Sequence, residues 1–99
     1  MIRHVVSWTF LEKDPEAKAE KVAFVAAQLM SLPPLIPEIH SMTLGANEVD
    51  IEGNWDLVLV ADYADEAALR TYIHHPEHEK VVAVIKPHFD KRSAVDFVY

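Results

Sequence analysis

The sequence predicts an α+β fold in which one four-stranded antiparallel sheet carries helices on one of its faces. Four stretches alternate between apolar and polar residues with the period of a β-strand, and the stretches between them follow the period of an α-helix. Their order along the 99 residues is β-α-β-β-α-(α)-β, which is the split βαβ, or ferredoxin-like, arrangement. A chain of this length is expected to form one domain, over residues 1–99.

The first predicted strand runs from Ile2 to Leu11 and places a strongly apolar set of side chains on one face. This set consists of Ile2, His4, Val6, Trp8 and Phe10. Such a face must pack against a core, so His4 is expected to be buried. A buried imidazole needs a hydrogen-bond partner, which is either another core group or a polar group of a pocket and its ligand.

The first predicted helix begins with Asp14 as its N-cap and Pro15 at its first position, and it continues from Ala17 to Met30. Its apolar stripe is formed by Val22, Val25, Ala26, Leu29 and Met30. A second strand is predicted from Ile36 to Asn47, with a bulge or a change of face near Ser41-Met42, because the alternation breaks there.

The third predicted strand, from Trp55 to Tyr63, has the clearest alternation in the chain. Asp65 is then expected to cap a helix that stops near His74. Pro76 cannot donate a backbone hydrogen bond and disfavours helical geometry in the residue before it. A new helix should therefore begin at Pro76 and end at Pro87.

The last predicted strand covers Ser93 to Tyr99. Because the helices can cover only one side of the sheet, the other side is expected to expose an apolar patch. This patch consists of Val5, Val58, Val60, Val95 and Phe97. A solvent-exposed apolar patch of this kind is unusual for a soluble monomer. The sequence therefore predicts a homodimer in which two helix-free sheet faces pack together about a two-fold axis.

Composition excludes several classes of function. The net charge of −7 argues against nucleic acid and anionic membranes as partners. No apolar run approaches the roughly 20 residues that span a bilayer. The absence of cysteine excludes disulfides, thiolate metal sites and cysteine nucleophiles. The first four residues lack the layout of a signal peptide, which predicts a cytoplasmic location.

The helix break at Pro76 is the candidate site, because it should bring Tyr72 and His78 close together. In one interpretation His78 is a general base, since histidine titrates near pH ~6.5, and Tyr72 orients it or stabilises an enolate oxygen. In the other, the two side chains bond each other or nearby backbone and only fix the helix junction.

A metal site is not predicted at this junction. His74 and His78 have the i,i+4 spacing of a helical metal site, but Pro76 breaks the helix between them. Apart from Glu77 and Glu79, no carboxylate is positioned as an evident third ligand. Phosphate-binding loops, dinucleotide-binding glycine motifs and nucleophile elbows are also missing from the sequence. The sequence therefore predicts no metal and no cofactor.

The chain as a whole resembles the stress-responsive dimeric α/β-barrel (Dabb) family. Its most specific match is the stretch from Tyr72 to His78, which reads Tyr-x-x-His-Pro-x-His. Weaker matches are Ile2-Arg3-His4-Val5-Val6, Leu44-Gly45-Ala46-Asn47, Asp56-Leu57-Val58-Leu59 and Val95-Asp96-Phe97. The resemblance implies the ferredoxin-like fold and a homodimer whose two sheets form a barrel, in agreement with the pattern of the residues.

The resemblance also implies a site. Olivetolic acid cyclase, a plant polyketide cyclase of this family, uses a histidine base beside a tyrosine, and these two roles fall on His78 and Tyr72. A histidine of its first strand matches His4. The apolar wall of its pocket would carry over to Val6, Trp8, Val25, Leu29, Met42 and Leu59. Trp8 and Arg92 stand where the enzyme has smaller aliphatic or apolar residues, which implies a smaller or closed pocket.

Three functions follow from these observations. The first is a homodimer with a pocket for a small apolar, aromatic or ketide-like ligand, and cyclase- or lyase-type proton transfer by His78 with Tyr72. The second is a non-catalytic stress-response or structural dimer in which Trp8 and its neighbours fill the pocket. The third, from fold analogy alone, is a monooxygenase of the dimeric ferredoxin-like architecture.

Overall fold

A computed structural model describes residues 1–99 and has the predicted order of elements. The elements are β1 (Ile2–Phe10), α1 (Pro15–Met30), β2 (Ser41–Ala46), β3 (Leu57–Tyr63), α2 (Glu66–His74), α3 (Pro76–Ile85), a 3₁₀ turn (Lys86–His88) and β4 (Phe89–Val98). The ferredoxin-like α+β fold class predicted from the sequence is confirmed.

The four strands form one antiparallel sheet in the order β2-β3-β1-β4. β1 is central and alternates as predicted, with His4, Val6, Trp8 and Phe10 buried on the side of the helices. Val6, Trp8 and Phe10 form one apolar core with residues of α1, α2 and α3. His4 is 5% exposed, which agrees with the burial expected from its position in the apolar set.

Local capping explains where the three helices begin. The Asp14 carboxylate accepts a hydrogen bond from the Ala17 amide at 3.0 Å, and Asp65 accepts one from the Ala68 amide at 2.8 Å. At the Pro76 junction, Nδ1 of His75 accepts a hydrogen bond from the Glu77 amide at 3.1 Å. His75 has extended backbone geometry, so α2 ends and α3 begins at the predicted place.

The second strand is shorter than the sequence pattern predicts. It begins at Ser41 because the preceding apolar residues lie in turns: the Ile36 amide bonds the Leu32 carbonyl at 3.0 Å, and the Ile39 amide bonds the Ile36 carbonyl at 3.1 Å. These three side chains are buried, so their apolar character reflects packing and not a strand. The bulge predicted in this strand is also wrong, since β2 pairs with β3 in regular register.

The starts of two further strands also differ from the prediction. β3 begins at Leu57 and not at Trp55, and β4 begins at Phe89 and not at Ser93. The sheet irregularity lies instead between Thr9 and Phe10, where the register of β1 against β4 shifts. Met30, which the periodicity assigns to the apolar stripe of α1, is 45% exposed because it lies at the C-terminal end of the helix.

The helix-free face carries the predicted apolar patch. Cross-strand pairing places Val5 beside Val60 and Val95, and the patch is completed by Val58 and Phe97. Val95 is 62% exposed and Phe97 is 43% exposed. This face therefore presents apolar surface that no part of the chain covers.

An ion pair lies on the same face at the end of β1. The Arg3 guanidinium binds the Asp62 carboxylate through two hydrogen bonds of 2.8 and 3.1 Å. The Ser41 hydroxyl donates a further hydrogen bond of 3.0 Å to Asp62, and the Arg3 guanidinium lies 4.4 Å from the centre of the Tyr99 ring. The hydrogen bonds from Arg3, then those from Tyr99 and Ser41, hold the pKa of Asp62 well below its usual range.

Asp62→Asn is expected to lower stability at pH 7 and to flatten its dependence on acid pH. The pKa of Asp62 is lower in the folded chain than its unfolded value near 3.9, so its stabilisation is full above about pH 4 and is lost as pH falls through the folded value. Urea unfolding at pH 7 and pH 3 measures the difference. Glu66→Gln, which breaks an exposed pair with Arg70, is the control. Equal acid dependence in wild type and Asp62→Asn would contradict the assignment.

Candidate functional site

A cavity of about 470 Å³ lies between the helices and the sheet, on the side of β1 and β4. Its wall is formed by His4, Val6, Trp8, Leu29, Leu59, Tyr72, His78, Val82, Ile85, Lys86, Phe89, Asp90, Lys91 and Arg92. A volume of this size is typical of sites for small organic molecules. Apart from His4, the wall is apolar along β1, β3 and α1, and it is polar where α2 and α3 approach β4.

Most of the residues singled out from the sequence meet at this cavity. His78 and Tyr72 lie on its wall, together with His4, Val6, Trp8, Leu29 and Leu59. Val25 and Met42 do not line it, which corrects the implied pocket wall. Val25 is fully buried in the core. Met42 lies on the edge strand β2, and the cavity lies toward the opposite edge, β4.

The bulk of Trp8 does not close the cavity. The Trp8 indole stacks on the Phe89 ring, with 5.0 Å between centroids and 12° between planes. Phe89 in turn meets Phe10 edge to face at 5.3 Å. The indole is thus held against the first residue of β4, and space remains between Trp8 and the helices.

His78 lies in the first turn of α3, and the helix break sets its orientation. Its Nδ1 is 2.9 Å from the carbonyl oxygen of Ile73, which α2 leaves without a helical partner near its end. A carbonyl only accepts, so Nδ1 carries the proton and Nε2 keeps a free lone pair. Burial lowers the pKa of His78. The neutral imidazole is therefore the form present at neutral pH.

Tyr72 packs against His78, with 4.4 Å between the ring centroids. The side chain is buried, and burial raises its pKa to about 12. The phenol therefore keeps its proton at neutral pH and can donate a hydrogen bond. Tyr63 lies behind it at 5.2 Å, and its hydroxyl is buried without any hydrogen-bond partner. Burial likewise raises the pKa of Tyr63, so both phenols are neutral.

His4 has a partner that the sequence patterns did not identify. Its Nδ1 contacts Oδ1 of Asp96, which faces it across the β1–β4 pair. The carboxylate accepts from Nδ1–H, which leaves Nε2 as the free ring nitrogen of His4. The His4 ring lies 6.2 Å from that of Tyr72. A histidine on an apolar strand face signals that a partner must exist, but only the strand register shows that it is Asp96.

The polar groups of the cavity do not form a metal site. No group of three or more histidine, aspartate and glutamate side chains in the chain is arranged to hold a metal ion. His74, which shares the i,i+4 spacing with His78, does not line the cavity. What the wall offers is two imidazoles with free Nε2 atoms, one neutral phenol and several cationic side chains.

None of the helices is both long and apolar enough to cross a lipid bilayer. No curated protein shows significant sequence similarity to this chain.

Solved structures with the same fold include proteins of several descriptions. A dimeric ferredoxin-like protein of unknown function from Thermobifida fusca is 33% identical, with 99% of this chain and 90% of that chain covered and a TM-score of 0.81. The hydroxynitrile lyase of Passiflora edulis is 13% identical, with 99% and 92% covered and a TM-score of 0.79. An antibiotic biosynthesis monooxygenase is 19% identical, with 100% and 98% covered and a TM-score of 0.74. The last two likenesses show the fold alone.

The family is established by the sequence itself. The profile of the Stress responsive A/B Barrel Domain matches residues 2–99, so the match spans every strand and helix described above. The chain belongs to the stress-responsive A/B barrel (Dabb) family.

Proposed function

We propose that this chain forms a homodimeric, cofactor-independent enzyme of the cyclase or lyase type that transfers a proton of a small apolar, aromatic or ketide-like molecule. The observation that carries the proposal is His78 on the wall of a largely apolar cavity, with Nδ1 bonded to backbone and Nε2 free. This arrangement provides a neutral base at neutral pH beside the apolar part of the cavity wall.

The proton-transfer step follows from the chemistry of His78 and Tyr72. Nε2 of His78 removes a proton from a carbon next to a carbonyl group of the substrate, and the electron pair of the C–H bond moves to give an enolate. Tyr72 donates its phenolic hydrogen to the enolate oxygen, where the negative charge develops. In a cyclase the enolate carbon then attacks a second carbonyl group, and the alkoxide oxygen formed there takes the proton from the His78 imidazolium. Otherwise the enolate carbon takes this proton back directly. In either case His78 returns to its neutral form.

His4 and Asp96 complete the polar side of the cavity. Asp96 fixes the orientation of the imidazole through Nδ1, as a carboxylate commonly does for a functional histidine. The free Nε2 of His4 gives the bound molecule a second polar contact near Tyr72. His4 and Asp96 therefore act as substrate-binding and positioning residues in the proposal.

The open cavity favours this proposal over a non-catalytic dimer with a filled pocket. Trp8 was expected to fill the space in that alternative, but its indole stacks on Phe89 and about 470 Å³ stays open. A purely structural role would also not require a desolvated imidazole with a lowered pKa on the cavity wall.

The uncovered apolar face of the sheet supports the dimer. Val5, Val58 and Val60 lie at its centre, and the exposed Val95 and Phe97 extend the same surface along β4. The Thermobifida fusca relative is described as dimeric. A second copy of the chain would cover the patch by placing sheet against sheet, as in a β-sandwich core.

Wild-type protein is expected to accelerate exchange of the benzylic protons of phenylacetone for deuterium in D₂O. The ketone is small enough for the cavity, and its exchange needs only a base and an oxyanion donor. Proton NMR at neutral pD measures the rate. Free imidazole at the same concentration is the control, because it has the base without the cavity. A rate no greater than that with imidazole would contradict the proposal.

A further inference from the structure

The positive charges of the chain are distributed unevenly around the cavity. Six of its nine lysines and arginines form ion pairs with carboxylates. The other three are Lys86, Lys91 and Arg92, and all three line the cavity. The side chains of these three make no ion pair and no hydrogen bond within the chain, although acidic residues outnumber basic ones by 16 to 9.

Unpaired cations at the cavity of an otherwise acidic protein indicate an anionic ligand. The single acidic side chain on the wall, Asp90, lies 4.0 Å from Lys13, which is outside the cavity, and so faces a cation already. Asp96 is bonded to His4. No free carboxylate of the wall therefore neutralises the three cations.

Arg92 is the best placed of the three. It pairs with Trp8 across β1 and β4, so its side chain leaves the sheet on the side of the helices. Its charge reaches the two catalytic candidates: after burial, which is the largest cause, it contributes to the lowered pKa of His78, and it opposes the rise in the pKa of Tyr72. Arg92, His78 and Tyr72 line the same cavity, so a ligand group bound to Arg92 would share that space with both.

We propose that the ligand is an amphipathic carboxylate, with its apolar or aromatic body in the cavity and its carboxylate bound by Arg92. The planar guanidinium matches a carboxylate with two parallel hydrogen bonds, and the flexible ammonium group of Lys86, which also lines the cavity, adds attraction. The body would contact Val6, Trp8 and Leu59 on the sheet side. This inference rests on the cavity of the proposed function and names the class of molecule that it takes.

Isothermal titration calorimetry with two matched probes tests it. 4-Pentylbenzoate and 4-pentylbenzamide have nearly the same shape, and only the first carries a charge. Wild type is expected to bind the carboxylate about tenfold more tightly than the amide, because one charge-assisted contact distinguishes them. Arg92→Gln is expected to abolish this preference while it leaves the affinity for the amide within about twofold of wild type.

Arg70→Gln is the matched control, because Arg70 lies on α2, is paired with Glu66 and does not line the cavity. This variant should keep the full preference for the carboxylate. Equal binding of the two probes by wild type would overturn the inference, and so would a preference that survives Arg92→Gln.

The outcomes separate this inference from the proposed chemistry. If wild type shows the carboxylate preference but does not accelerate exchange of phenylacetone protons, the ligand class stands and the catalytic role of His78 is wrong. If exchange is accelerated but the preference for the carboxylate is absent, the role of His78 as a base is retained and the anion site at Arg92 is wrong. If neither probe binds, the anion site is wrong together with the cavity as a ligand site.

Discussion

His78→Asn is expected to slow the exchange of phenylacetone protons by about 10²–10⁴-fold, the range over which a positioned general base contributes to a rate. The asparagine amide nitrogen lies near the place of Nδ1 and can keep the hydrogen bond to the Ile73 carbonyl, which is 2.9 Å long in wild type. The atom that is lost is Nε2, which the mechanism uses as the base. The rate of deuterium incorporation measures the effect.

Two measurements distinguish a lost base from a damaged helix junction. The melting temperature of His78→Asn should stay close to that of wild type, because the junction keeps its hydrogen bond. His88→Asn removes a histidine that packs against Phe24 at 5.7 Å and does not line the cavity, and it should leave the exchange rate unchanged. Full activity in His78→Asn would exclude His78 as the base.

The pH dependence of the wild-type exchange rate follows from the titration of the His78 imidazole. Burial lowers the pKa of His78 in the folded chain, so the base form is complete at neutral pH and is lost only as pH falls through a value below about 6.5. The exchange rate should be flat above this value and should fall below it. This acid limb should be missing in His78→Asn.

The fold could be predicted because its local signals agree with one another. β1 and β3 alternate with a period of two, and Pro15 and Pro76 each stand at the first position of a helix. The predicted start of the second strand was wrong because Ile36 and Ile39 are buried in turns. A buried apolar residue carries the same sequence signal in a turn as in a short strand, and only the hydrogen bonds distinguish the two.

The candidate site could be predicted only in part. The break at Pro76 brings Tyr72 and His78 into contact, because a local turn fixes their approach. The contact of His4 with Asp96 and the position of Arg92 depend on the register of β1 against β4. The hydrophobic pattern fixes the face that each residue takes, since a slip by one residue exchanges the two faces. It does not show which residues of two strands so far apart in sequence lie opposite each other.

Val60→Asp is expected to convert the proposed homodimer to monomers. Val60 lies on the helix-free face at the centre of the sheet, between Val5 of β1 and Thr43 of β2. In a dimer with sheet packed on sheet, each copy would bury a carboxylate without a partner among apolar side chains, and the two-fold axis would bring a second like charge to the same interface. The isolated subunit tolerates the change better, because Val60 is only half-buried in it.

Sedimentation equilibrium at micromolar concentration measures the result, and circular dichroism shows that the variant keeps its secondary structure. Val98→Asp is the matched control: Val98 is 77% exposed and pairs with Ile2 on the other face of the same sheet. The Val98→Asp variant adds the same charge, but it should still sediment with the mass of a dimer. A dimeric Val60→Asp variant would place the interface elsewhere, and a monomeric wild type at this concentration would end the proposal that two helix-free faces meet.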